Sequence, residues 1–291
     1  MLDTLLAPFH YHYLVNALFA SALVGAVCAF LSAYLMLTGW SLIGDALSHS
    51  VVPGVAGAYA LGLPYSIGAC VSGFLAAISI VSLKALSHLK EDAIIGFIFT
   101  TFFAAGLLLI SVNPTPVDVD TIILGNILTV PHADLMQTLF VAVVSLAVLI
   151  LIWKDLRLVF FDETHASTVG VSPVKTKGIF FTILVACTFA SLQTVGAVLV
   201  IATVIVPGVT AYLLTDRFGY LLCISITIGV LSGFFGTYLS YFLNGSTGGV
   251  IVLIQTTIFV LTFIFAPKYG LIAAKVSAED RIGNDLRASH E

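Results

Sequence analysis

Long apolar runs separated by short polar joints extend along the whole chain. Nine such segments can be drawn, at about 13–37, 42–62, 64–83, 94–111, 134–153, 178–193, 196–214, 218–243 and 247–266. Read as helices, they match the roughly 30 Å of hydrocarbon that a membrane helix has to cross. None shows the alternation of lipid-facing and lumen-facing residues that marks an outer-membrane strand. The pattern predicts an all-α, polytopic membrane protein with eight or nine transmembrane helices, forming one transmembrane domain over residues 1–291. The lower count applies if a broken or re-entrant helix replaces a span at the tight joints 62–64 and 193–196.

Composition agrees with the pattern, and charge adds an orientation. Of 291 residues, 59% are hydrophobic and 9% charged, whereas a soluble domain carries about 25% charged residues. All eleven basic residues fall in joints of one parity: Lys84 and Lys90 after the third segment, Lys154, Arg157, Lys175 and Lys177 after the fifth, Arg217 after the seventh, and Lys268, Lys275, Arg281 and Arg287 after the ninth. Short loops rich in Lys and Arg stay cytoplasmic. The N-terminus is therefore expected outside and the C-terminus inside, with a cytoplasmic loop at 154–177, a cytoplasmic tail at 267–291 and an outer loop at 112–133 that carries Asp118 and Asp120. The N-terminal MLDTLLAPFHYHY has no Lys or Arg and no plain cleavage signal, so no removable signal peptide is expected.

A net charge of -4 leaves no basic patch and argues against a nucleic-acid partner. Cys28, Cys70, Cys187 and Cys223 all fall inside apolar segments with no close pair among them. They read as small buried apolar residues rather than as a disulfide or a thiolate metal site.

Against this background the stretch GWSLIGDALSHSVVPGVAGAYALG, residues 39–62, holds Asp45 and His49 within apolar sequence. Four residues apart, they share one face of a helix. A carboxylate at bilayer depth costs roughly 2.5–3.5 kcal/mol on insertion scales, so it faces a cavity or a partner. Two readings follow from the residues. In one, Asp45 is an N-cap at the inner interface and His49 a satisfied core histidine. In the other, the pair is a cation site whose oxygen and nitrogen donors suit Mn(II), Fe(II) or Zn(II), and without thiolate not Cu(I). Two ligands are too few for such an ion, but a two-fold dimer bringing this helix to its axis supplies two Asp and two His. His10, His12 and His132 are expected outside and His88, His165 and His290 inside, and these six are left out of the site.

Two further features stand out. SVVPGVAGAYAL at 50–61 and VIVPGVTAYLL at 204–214 share a VPGV core, in segments of opposite expected direction, as in an inverted repeat; Asp45 and His49 then align with Leu199 and Thr203. The internal loop contains DETHASTVGV, too short and polar to span, which suits a surface helix: either an ordinary connector or a docking element for a cytoplasmic partner.

The segments GDALSHSVVPGVAGAYALG at 44–62, FFDETHASTVGVSP at 160–173 and QTVGAVLVIATVIVPGVTAYLL at 193–214 resemble the bacterial membrane permease subunits of ATP-binding-cassette importers for manganese, zinc and chelated iron, and the likeness covers nearly the whole chain. The resemblance implies a homodimer in the inner membrane, two cytoplasmic ATPase subunits beneath it, and a metal-loaded binding protein arriving from outside. It implies that Asp45 and His49 coordinate the transported ion, and that Asp162, Ala166 and Gly170 belong to the ATPase-docking helix. Mn(II) or Fe(II) is the favoured cargo, Zn(II) a further one, and no cofactor is held permanently.

No G-x-x-x-x-G-K-[ST] occurs, so ATP hydrolysis is expected in another polypeptide and the chain is not itself an enzyme. A proton-coupled secondary metal transporter is the main rival, since Asp and His both titrate within pumps. An intramembrane protease lacks its motif, H-E-x-x-H being absent and Asp45 having no second intramembrane Asp. Uptake of a larger chelate fits a compact Asp/His pair poorly.

Overall fold

Lipid tails compete with neighbouring helices for apolar side chains, so membrane helices associate through small residues and hydroxyls that let backbones approach. The glycines and serines of this chain therefore mark its helix crossings. A computed structural model describes residues 7–40, 42–63, 65–87, 89–112, 132–266 and 269–271. A 3₁₀ turn at Ala7–His10 precedes α1 (His12–Thr38), α2 (Ile43–Ser50), α3 (Val52–Ala60), α4 (Tyr65–Leu86), α5 (Glu91–Val112), α6 (His132–Phe161), α7 (Glu163–Thr168), α8 (Pro173–Val195), α9 (Ala197–Leu214), α10 (Phe218–Leu243) and α11 (Thr247–Phe265). Among the described residues there is no strand, and seven helices are long and apolar enough to cross a membrane.

The axis of the bundle is α1, buried along most of its length and packed most extensively on α10 and α9. It crosses α10 antiparallel: Ser21 Oγ donates to Gly233 O at 3.0 Å, and Ser225 Oγ donates to Ala29 O at 2.7 Å. Between these bonds a Cβ on Gly25 would lie 2.3 Å from the Gly229 carbonyl oxygen, so neither position has room for a side chain. On its other side Ser32 Oγ donates to Ile205 O and accepts from Gly208 N of α9. At one end of the bundle Tyr34 is fully buried, donates to Trp153 O at 2.8 Å, and packs its ring on Phe160, Phe180 and Phe218, which ties α1 to α6, α8 and α10.

Two of the nine expected segments differ from a plain span. The region 42–62 is two short helices rather than one, parted at Val51; Pro53, in the first turn of α3, lacks an N–H to continue the hydrogen-bond ladder. Val51 between them keeps helical dihedrals (φ -72°, ψ -28°), so the break is a missing rung and the chain keeps its direction. The tight joint near 193–196 is Gly196, at φ 84° and ψ 163°, a conformation open to glycine. There α8 ends and the 18-residue α9 begins.

Both VPGV cores are helix crossings. A Cβ on Gly54 would lie 2.0 Å from Gly68 O of α4, and one on Gly208 would lie 2.5 Å from Ser32 O of α1. The cysteines need one correction. Cys28 and Cys187 are buried, but Cys70 is half-buried and Cys223 is exposed on α10, since the outer face of a membrane helix is as apolar as its inner one. His88, Asp118, Asp120, Lys268, Lys275, Arg281, Arg287 and His290 lie outside the described residues, as does the side chain of His132.

Candidate functional site

The eight-residue α2 is wedged among α5, α9, α8 and α4. Its Ile43, Gly44, Ala46, Leu47, Ser48 and Ser50 are buried, and a Cβ on Gly44 would lie 2.8 Å from Val204 Cγ1, so this helix sits flush on α9. Ser48 and Ser50 satisfy their hydroxyls on Gly44 O and Ala46 O, the carbonyls one turn back. What remains open on α2 is the stripe that carries Leu42, Asp45 and His49.

The Asp45 and His49 side chains retain 39% and 24% of their exposure, and His49 Nε2 stands 3.4 Å from Asp45 Oδ1. That is ion-pair range and longer than a good hydrogen bond, so neither group is committed to the other. The imidazole is held by two rings of α5, edge-on to Phe99 at 5.3 Å and Phe103 at 5.5 Å, which themselves stack at 5.9 Å. Phe99 and Phe103 fall in the middle of the 22-residue α5, so the pair lies at mid-depth of the bundle. Asp45 stands inside the first turn of α2, whose N-cap is Leu42 with no side-chain cap bond. The N-cap reading of Asp45 is therefore not what the backbone adopts. Among the described residues no group of three or more His, Cys, Asp or Glu converges to hold an ion, so one chain offers two ligands.

At the bundle end below Tyr34, Asp162, Ala166 and Gly170 meet in one small motif. Asp162 caps α7 by accepting from His165 N at 2.9 Å. Ala166 is fully buried and anchors the helix from beneath. Gly170, at φ 89°, ends it, with Val171 N donating back to Ala166 O. The three residues shape and seat α7, and the face it shows to solvent is made by Thr164, His165, Thr168 and the 62% exposed Val169. An ion pair from Lys177 to Glu163 ties α7 to α8.

His10, His12 and His165 are exposed, on the N-terminal turn, α1 and α7, none of which is among the helices packed around α2. Phe99 and Phe103 were not singled out by sequence reasoning, although F-x-x-x-F places two rings on one helix face. Gln255, fully buried on α11, is another such residue: its Nε2 donates to Ser232 Oγ at 2.9 Å and Thr203 Oγ1 at 3.3 Å, while its Oε1 has no partner among the described residues.

A multi-spanning helical bundle with an acid and an imidazole laid open at mid-depth, and a short capped helix at one end, is the layout of a transport permease. The chain matches the ABC 3 transport family over residues 10–266 and belongs to it; it is a membrane permease subunit, with ATP hydrolysis left to a separate subunit. It is 62% identical over 275 residues to the chelated iron transport system membrane protein YfeC of Yersinia pestis, covering 94% of each chain. It is 48% identical over 272 residues to the manganese transport system membrane protein MntB of a Synechocystis species, covering 92% of this chain and 88% of that one. Among solved structures it is similar to PsaBC from Streptococcus pneumoniae in complex with Fab, with a TM-score of 0.81 and 34% identity over 94% of this chain and all of that one.

Proposed function

We propose that this permease carries a bare divalent transition metal inward, Mn(II) or Fe(II) ahead of Zn(II), between two copies of itself in the bacterial inner membrane. The observation that carries the reading is the Asp45–His49 pair: two metal donors at mid-depth, on a helix whose other side chains are packed away, left open on the surface of a single chain. A second copy related by a two-fold axis brings two carboxylates and two imidazoles together, and the ion neutralises acids that otherwise repel. The names of the iron and manganese relatives support the choice of cargo.

In this reading two cytoplasmic ATPase subunits seat on α7 and a metal-binding protein docks at the opposite face, with the N-terminus outside and the C-terminus cytoplasmic. ATP-driven closure of the ATPases moves α7, and with it α8 through the Lys177–Glu163 pair and the Pro173 start of that helix. Opening between the paired α2 helices admits the ion, and hydrolysis reverses the motion. Mn(II) or Fe(II) uptake by cells carrying Asp45→Ala or His49→Ala, at matched protein level, tests the site: uptake should fall to background in both. Near-normal uptake would make the pair structural. Uptake into proteoliposomes holding the permease alone under a pH gradient would instead favour a proton-coupled carrier.

A further inference from the structure

Where α4 ends and α8 begins, the two helices leave a groove of about 630 Å³ between them, floored by Trp40 and walled by Phe74, Val81, Val174 and Phe181. It opens beside α7, and its rim holds the ammonium groups of Lys84 and Lys177. Both α4 and α8 are long and apolar enough to span, and these lysines fall at the Lys84 end of one and the Pro173 end of the other, so the rim lies at the membrane boundary. Trp40 fits this depth, as an aromatic residue of the headgroup region. Its ring lies against Phe181 at 5.0 Å and beneath Lys84 Nζ at 4.3 Å.

Three features of the rim attract an anion. Lys84 and Lys177 face it, and α8 presents its positive end there: Pro173 lines the groove, and the N-cap Ser172 makes no side-chain cap bond. Inward of the rim the walls are apolar, formed by Phe74, Ala77, Ile78, Val81 and Phe181, with Ile78 60% exposed. A headgroup that is anionic and a tail that is apolar match these two halves. The rim also carries its own carboxylates. Lys84 is paired with Glu91 and Lys177 with Glu163 of α7.

We propose that the groove binds one anionic phospholipid, with its phosphate on Lys84 and Lys177 at the α8 N-terminus and its acyl chains along Val81 and Ile78. The phosphate competes with Glu163 for Lys177. Lipid occupancy thereby loosens the ion pair that ties α7 to α8, so the docking helix responds to the lipid beside it.

The test is native mass spectrometry of the full chain in detergent, titrated with phosphatidylglycerol and phosphatidylcholine of matched acyl chains. Phosphatidylglycerol should be retained in preference, and Lys84→Gln combined with Lys177→Gln should cut its retention by about tenfold, the scale of two lysines partly neutralised by neighbouring acids. Glu163→Gln should raise retention, because it frees Lys177. Ile78→Trp should lower retention of both lipids by filling the groove, whereas Lys154→Gln, outside the groove, should change neither. The opposite signs of Glu163→Gln and the double lysine variant separate binding from misfolding. Equal retention of the two lipids, an unchanged preference in the double lysine variant, or full displacement of phosphatidylglycerol by inorganic phosphate at the same concentration would overturn the proposal.

Discussion

His49 is positioned by what surrounds it more than by its helix. Phe99 and Phe103 meet the imidazole edge-on and leave Asp45 as its polar neighbour, at 3.4 Å. Replacing one ring with alanine in a buried site costs about 3–5 kcal/mol when the side chain is fully packed, and less here, because both phenylalanines are only half-buried. Phe103→Ala should accordingly leave a foldable protein whose affinity for Mn(II), read by isothermal titration, falls several-fold as the imidazole loses its fixed orientation. Unchanged affinity would show that the rings do not orient the ligand. Glycines give a sharper contrast. A Cβ on Gly25 meets backbone at 2.3 Å, whereas one on Gly57 meets nothing within 4 Å. Gly25→Ala should destabilise by roughly 1–3 kcal/mol through overpacking of the α1–α10 crossing, and Gly57→Ala should be neutral or mildly stabilising through helix propensity. Thermal unfolding in detergent distinguishes the two.

At the scale of elements, the ends of α1 and α10 were legible because each apolar run stops at a residue able to take a left-handed conformation. The expected 13–37 became His12–Thr38 before Gly39 at φ 71°, and 218–243 became Phe218–Leu243 before Asn244 at φ 47°. The break at Val51 was not legible. A proline in an apolar run signals a gap in the hydrogen-bond ladder, but the sequence does not show that Val51 keeps helical dihedrals across it. Nor does Pro207 stop α9, where the same VPGV sequence stays within one helix. The short α7 was expected at DETHASTVGV, but not that Ala166 would be its anchor rather than part of its exposed face. Asp162→Ala should remove the cap, costing about 1 kcal/mol of local stability, and hydrogen exchange of residues 163–170 should quicken by several-fold while α1 and α10 keep their protection. Equal protection in the variant would mean that packing of Ala166 alone holds α7.

For the whole molecule, the apolar pattern carried the fold class, and the ionisable residues carried the candidate site. Membrane depth makes each charge conspicuous, and that is why Asp45 and His49 stand out in the sequence. Hydroxyl and amide chemistry was far less visible. Gln255 reads as one polar residue in a greasy run, yet it joins α11 to Ser232 of α10 and Thr203 of α9, with a fully buried oxygen that has no partner among the described residues. An unsatisfied carbonyl of this kind costs about 1–3 kcal/mol. Both hydroxyl partners also donate to their own helix, to Gly229 O and Leu199 O. Gln255→Met should therefore cost less than about 1 kcal/mol despite removing two hydrogen bonds, which thermal unfolding would register as a small shift in Tm.

Transport by the proposed route requires two half-sites that meet across a symmetry axis. X-ray absorption and metal analysis of the Mn(II)-loaded permease test this most directly. The prediction is one ion for every two chains, with imidazole scattering from two histidines that disappears in His49→Ala. One ion per chain, or a shell of oxygens without imidazole, would contradict it.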